Sequence, residues 1–358
     1  MMNATVAYLK QKGLNKISLI SYKPDREWQG LEKIDDTVEM ENYFSYDDSR
    51  ALKSLLRFIP IASQYERFYC LGADMMDGAY YEAFNCKMLR LVSLAAEMGV
   101  NSAVLGFSFN EKPTLASIEA LRHLPPSVRL CARDPVSQKR LTYHLNRPIE
   151  LVADLAFMLK PIVDSEIVLK MYNWINDQHD KGRIVIGINP KNPKLSEVYV
   201  KTINTLFSEN EKLSFMIIPH DFREYKGISD VVLSDNILNE VTPEIKPYCI
   251  QLPTPCQAAE IKAIVAKLDF VLSGRMHLAI ACLGQGTPVA CITYQGKFEG
   301  LFEHFALEGM TIEPETIFKR GTLTQFLITR IDSREEIRQH IQSKLPKIQQ
   351  LSCANFKS

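Results

Sequence analysis

The chain has 358 residues, 46% of them hydrophobic and 23% charged, with 42 Lys+Arg balanced by 42 Asp+Glu. At about 100–200 residues per domain the length points to two domains, and the ordinary charged and aromatic fractions exclude a disordered or low-complexity chain. Formal neutrality argues against a general nucleic-acid binder, whose surface needs a basic excess.

The chain opens on MMNATVAYLKQKG, which reads as a helix. Its lysines follow the apolar residues and no small-residue cleavage site comes after them, so it does not read as a secretory signal. Short apolar strand candidates follow at 16–22, 67–71, 102–109, 128–132 and 149–153. A second series lies at 183–189, 213–219, 247–252, 269–273 and 288–294. Amphipathic helices are expected between them, at 80–99, 135–145, 195–210 and 257–268. The strands are continuous apolar runs, as in a sheet covered on both faces. Strand–helix alternation at this spacing calls for parallel sheets with right-handed crossovers. A proline break and a new helix near 160–182 separate the two series. The expected domains are therefore 1–162 and 163–332, followed by a polar helix or tail at 333–358 that contains Pro346. No apolar run approaches the roughly 20 residues that span a bilayer.

Eight cysteines are present, without a C-x-x-C pair. Cys70, Cys131, Cys282 and Cys291 sit in apolar runs, where a thiol behaves as a small hydrophobe. Reduced cysteines in a cytoplasmic protein are expected. No His/Cys/Asp/Glu grouping has metal-ligand spacing, so no catalytic metal is expected.

Open parallel sheets bind ligands at the carboxyl ends of their strands. The richest such place is the end of the strand 269–273 and the helix start next to it. Ser273-Gly274 lead into Arg275, Met276 and His277 at the start of an apolar helix. Helix-start N–H groups with an arginine favour a phosphate or carboxylate, and a histidine two residues on can give or take a proton. Alternatively, Ser273 caps the helix while Arg275 and His277 only fill its first turn. Other residues at strand ends are Arg133, Asp154, His220 and Asp221. Each has a structural alternative: an ion pair for Arg133, and capping for Asp154 and His220. No G-x-G-x-x-G follows a strand, which disfavours a dinucleotide oxidoreductase.

The stretch SGRMHLAIACLGQGTPVACITYQGKFEGL resembles the C-terminal signature of the polysaccharide pyruvyl transferase family. LGADMMDGAYY (71–81), LGFSFNEKP (105–113), ARDPVSQKRL (132–141) and VADLAFML (152–159) are similar to its other motifs. This resemblance implies an α/β fold of two facing Rossmann-like domains with parallel sheets, a glycosyltransferase-B-like architecture. It also implies transfer of pyruvate from phosphoenolpyruvate, as co-substrate and without a cofactor, onto two hydroxyls of a sugar in bacterial surface polysaccharide synthesis. The acceptor would be a lipid-linked or nucleotide-linked saccharide, met in the cytoplasm or at the inner face of the membrane. On this resemblance His277 is the candidate general acid, and Arg133, Arg275, Ser273, Gly274 and Lys297 would hold the donor. Asp154, Glu299, His220 and Asp74 would meet the acceptor or support the site. The sequence departs from the family pattern in three places. It opens inside what would be the first helix, so the family's first strand and Gly-rich loop are expected to be either absent or cut off by a start placed too late. Ala73 and Asp74 stand where glycines would be expected, and Gly274 is an extra residue in S-R-x-H. Two other readings stay open: a nucleotide-sugar glycosyltransferase of the same architecture, and a non-catalytic relative that binds a glycan or anion. The oligomeric state is not encoded in any of these features.

Overall fold

The computed structural model describes residues 1–357 apart from 15, 23–33, 45–47, 225–226 and 294–297. The chain divides into two compact units, Met1–Leu159 with Ile348–Ser358, and Lys160–Lys347. Each carries its own parallel sheet.

The first unit holds β1 (Ser18–Ser21) and β2 (Asp36–Glu39), paired with each other. Its main sheet has β3 (Arg67–Ala73), β4 (Asn101–Phe107), β5 (Arg129–Ala132) and β6 (Glu150–Leu151) in that spatial order. The strands read as continuous apolar runs because both faces are covered. In β4, Val104 and Phe107 pack with Leu89, Leu121 and Leu141. Its neighbours Ala103 and Leu105 pack on the opposite face with Leu9, Leu155 and Phe356. Ala103, Val104 and Leu105 alternate with the two-residue period of a strand, and the irregularity between Val104 and Phe107 brings Phe107 round to the Val104 side. The connecting helices start at sequence-readable signals. Asp134 caps Pro135–Leu145 by accepting from the Ser137 amide, and Pro135 takes the first turn.

The second unit holds β7 (Ile184–Asn189), β8 (Leu213–Ile217), β9 (Cys249–Gln251), β10 (Phe270–Ser273), β11 (Val289–Ile292) and β12 (Thr311–Ile312). Their spatial order is β12-β11-β10-β7-β8-β9, all parallel, so the order reverses between β7 and β10. This is the Rossmann arrangement, and its carboxyl edge at the reversal is where such sheets bind ligands.

The ten expected strands are present, and β2 and β12 are additional. β2 is four residues of mostly exposed DTVE and β12 is two residues long, so neither carries an apolar run. The boundary falls at Leu159/Lys160, three residues before the expected one. Residues 333–358 are not a tail apart from the domains. Arg334–Cys353 is one helix, with Pro346 inside it, and its two ends belong to different units. Near its start, Arg338 donates to the carbonyls of Leu268 and Asp269. Beyond its end, Asn355 donates to the carbonyl of Ala153, and Phe356 stacks on Tyr8. All eight cysteines are free, and burial pushes the thiols of Cys70 and Cys131 up to about 12. Among the described residues, no helix is long and apolar enough to cross a membrane.

Candidate active site

At the carboxyl edge of the second unit's sheet, Asn189 ends β7 directly beside Ser273 at the end of β10. Its side chain links three strand ends. Nδ2 donates to the Ile218 carbonyl beyond β8 (2.8 Å) and to Asp230 Oδ2 (3.1 Å), and Oδ1 accepts from the Gly274 amide (3.2 Å). Asp230, only 1% exposed, begins the helix Asp230–Glu240 after an N-cap serine, Ser229. Its Oδ2 also accepts from the backbone amides of His220 (3.2 Å) and Asp221 (3.1 Å). Arg275 donates to both carboxylate oxygens, Nη2 to Oδ1 at 2.6 Å and Nε to Oδ2 at 3.2 Å. One buried carboxylate therefore organises the ends of β7, β8 and β10. Such charge-assisted, two-pronged bonds fix the plane of a guanidinium.

Ser273 braces its own turn, accepting from the Arg275 amide and donating to the Arg275 carbonyl. A Cβ at Gly274 would lie 2.8 Å from Lys191 Cβ, so the extra glycine is what lets β10 leave the sheet beside the β7 loop. Arg275 is the N-cap of the helix Met276–Leu283, and exposed His277 lies in its first turn. Arg275 Nη1 is also 3.6 Å from Asp221, whose carboxylate is gripped by Arg223. The hydrogen bond from Arg223 outweighs burial and holds the Asp221 carboxyl down at about 2. His220 is lowered to about 4, first by burial and then by the nearby His277. Its Nδ1 is buried with no hydrogen-bond partner among the described residues. A neutral imidazole, an exposed histidine and an oriented guanidinium thus share one sheet edge. That edge can hold an anion and exchange protons with what is bound to it.

In the first unit the strand-end residues do other work. Arg133 follows β5 with a side chain 1% exposed, bonded to Asp154 Oδ2 (2.9 Å) and Ser108 Oγ (2.6 Å). These bonds engage the guanidinium inside its own unit, the structural role set beside donor binding for this residue. The ion pair set out as its structural alternative is present, with Asp154 as the partner. Asp154 is correspondingly no exposed base. Its other oxygen caps Ala156 and its backbone carbonyl accepts from Ser352. Asp74 is half-buried after β3, its carboxylate near Tyr80. Ala73 before it has φ +50, so the alanine keeps the left-handed turn of the glycine expected there.

A model of the polysaccharide pyruvyl transferase family matches residues 1–296 of the chain. The chain belongs to the polysaccharide pyruvyl transferase family. No curated protein matches it in sequence. Among solved structures, it resembles a putative UDP-N-acetylglucosamine 2-epimerase from Listeria monocytogenes at 11% identity and TM-score 0.62, over 95% of this chain and 86% of that one. UDP-GlcNAc 2-epimerase from Neisseria meningitidis, bound to UDP-GlcNAc, matches at 12% identity and TM-score 0.61 over 99% and 95%. A UDP-forming α,α-trehalose-phosphate synthase from Burkholderia vietnamiensis matches at 10% and TM-score 0.54 over 99% and 96%. At such identities the likeness shows the fold alone: two Rossmann-like domains of the glycosyltransferase-B class.

Of the pyruvyl transferase residues expected at the site, Ser273, Gly274, Arg275, His277 and His220 gather at the second unit's sheet edge. Glu299 is exposed in the first turn of the helix Phe298–Phe305. Lys297 lies outside the described residues. Among the described residues, no group of three His, Cys, Asp or Glu side chains is placed to hold a metal. Sequence reasoning missed Asn189 and Asp230. Asp230 looks like an ordinary first-turn acid in SDVVLSD, and only the β7–β10 neighbourhood shows its use. A signal was nonetheless present, since Asn189 ends an apolar strand at a position where a covered sheet edge tolerates polar residues only for a purpose.

Proposed function

We propose that this family member transfers the pyruvyl group of phosphoenolpyruvate onto two hydroxyls of a saccharide, forming a ketal. The observation that supports it best is Arg275, held by Asp230, next to His277 and His220 at the carboxyl edge of the second unit's sheet. Phosphoenolpyruvate brings a phosphate and a carboxylate. The outward part of Arg275 and the amides at the start of Met276–Leu283 are suited to such an anion.

The reaction balances without a redox partner. His277, protonated, gives a proton to the methylene carbon, and a sugar hydroxyl adds to the cationic carbon that results. The bond to the bridging phosphate oxygen then breaks, and a second hydroxyl closes the ketal. Of the two hydroxyl protons, one returns to the histidine and one leaves on hydrogen phosphate. His277 is the acid in this reading because it is exposed on the helix start. His220, held neutral by burial, is suited to hydrogen-bond the bound substrate rather than to carry its proton. A bound anion would favour the charged form of both histidines, so donor binding prepares the acid. Glu299 and Asp74 remain candidates for acceptor contact, and the acceptor is read as a lipid-linked or nucleotide-linked saccharide. No cofactor enters this scheme.

The test incubates the protein with phosphoenolpyruvate and a panel of glycosides while free phosphate is followed. Acceptor-dependent release, lost in His277→Ala, is expected. Silence with every acceptor, together with thermal stabilisation by a nucleotide-sugar, would replace this reading with that of a glycosyltransferase.

A further inference from the structure

The helix Asp48–Ala62 of the first unit carries one broad apolar arc, running from Phe58 and Ala62 through Leu55 to Ile59, Leu52 and Leu56. Its inner face packs Leu55, Phe58 and Ala62 into a core cluster with Tyr43, Leu91 and Val100. The adjoining half of the arc carries Leu52 and Leu56, 60% and 61% exposed, and Ile59 at 38%. Spacings of four and three residues put these three on one ridge. Lys53 and Arg57, both exposed, form a basic stripe along one flank of that ridge, and the one acidic residue of the helix is Asp48 at its first position. The basic residues lie on the side away from the core, as on an ordinary amphipathic helix, but half of the apolar arc stays outside the core, and an exposed aliphatic patch of this kind calls for a cover.

We propose that this helix docks the protein on an anionic phospholipid surface. Leu52, Leu56 and Ile59 enter the boundary between headgroups and acyl chains, while Lys53 and Arg57 meet lipid phosphates. Aliphatic residues flanked by Lys and Arg are the composition of a helix lying in the membrane plane, and the long basic side chains reach the headgroups while their stems stay on apolar surface. A protein partner is the weaker fit, because protein interfaces favour aromatic residues and are poor in lysine, and this ridge has no aromatic residue. At 15 residues the helix is about 22 Å long, which suits lying along a bilayer rather than crossing it. The inference does not rest on the transferase reading, although a lipid-linked acceptor would be found at the same surface.

The experiment is co-sedimentation of the full chain with an excess of phosphatidylcholine vesicles containing about 30% phosphatidylglycerol, in low salt. Binding is expected, and it should fall at least about fivefold on pure phosphatidylcholine vesicles or in about 0.5 M NaCl, where surface charges are screened. The double variant Leu52→Gln with Leu56→Gln should keep the parent melting temperature and lose about tenfold in binding, since two exposed aliphatic anchors are removed. Failure to bind anionic vesicles, equal binding to neutral ones, or undiminished binding of a folded double variant would each overturn the proposal. So would a dimer, seen by light scattering, that the double variant abolishes, because the ridge would then belong to a second copy of the chain. Vesicle binding needs no turnover, so its outcome is separate from that of the phosphate-release assay.

Discussion

Asp230 and Arg275, forty-five residues apart, meet through two hydrogen bonds at 2.6 and 3.2 Å, with the carboxylate buried and the guanidinium a quarter exposed. This pairing sets both the direction and the net charge of the arginine. A lone Arg275 would be a stronger but poorly aimed anion trap. With Asp230 behind it, the guanidinium presents its outer edge and Nη1 in a fixed plane.

Asp230→Asn should therefore weaken the site by loss of aim rather than by loss of charge. On the proposed reaction, the KM for phosphoenolpyruvate should rise by roughly tenfold, about 1.4 kcal/mol, with the melting temperature falling too because a buried network is broken. Arg275→Lys should not substitute, since an ammonium cannot make the paired bonds. Initial rates of phosphate release at varied phosphoenolpyruvate measure both. An unchanged KM in a folded Asp230→Asn protein would show that the carboxylate only supports the fold.

The pH dependence of stability follows from His220. Its folded-state value, about 4, lies below the ordinary 6.5. Between those values the unfolded chain binds a proton that the folded chain refuses, so stability is full above pH 6.5, declines as pH falls toward 4, and levels below that. The loss should be on the order of 2 kcal/mol, allowing for relaxation around a group that is not wholly enclosed. Urea unfolding at pH 7 and pH 5 tests it, with His220→Gln expected to flatten that part of the profile. Asp221 acts lower: its stabilising effect holds above 3.8 and is lost as pH falls to about 2.

How much of this was legible in the sequence depends on distance along the chain. The SGRMH element was readable because strand end, glycine turn and helix start are contiguous. Asp230 was not, because its meaning comes from β8 and β10 lying on either side of β7, a topology no local pattern encodes. The Arg133–Asp154 pair was hidden for a related reason. Arg133 and Asp154 each follow a strand, and β5 and β6 pair with Ala132 opposite Leu151, so the two polar residues emerge side by side. Read singly, each looks like a ligand for something outside. Read in register, each is the other's partner.

That pair yields the next expectation. Removing one member leaves a buried, uncompensated charge, which typically costs about 3–5 kcal/mol. Arg133→Met and Asp154→Leu should each lower the melting temperature sharply, and the double variant should recover much of the loss, since a buried ion pair replaced by packed apolar groups is often near neutral. Calorimetry of the three variants decides it. If the single variants kept the parent melting temperature, the pair would contribute little, and Arg133 would again be a candidate ligand-binding residue.

Ala73 offers the mildest test. With φ at +50 its Cβ crowds the following carbonyl, at a cost of roughly 1–2 kcal/mol for an L residue. Glycine removes that strain but loosens the unfolded chain by roughly 0.4–1 kcal/mol. Ala73→Gly should therefore stabilise the protein by up to about 1 kcal/mol, read as a small rise in melting temperature. Since the turn at Ala73 leads into Asp74, the same variant reports on acceptor binding. If Asp74 meets the saccharide, an unstrained turn should leave the KM for acceptor unchanged or lower, whereas Asp74→Ala raises it. A fall in stability in Ala73→Gly would mean that the alanine methyl contributes packing that outweighs its backbone strain.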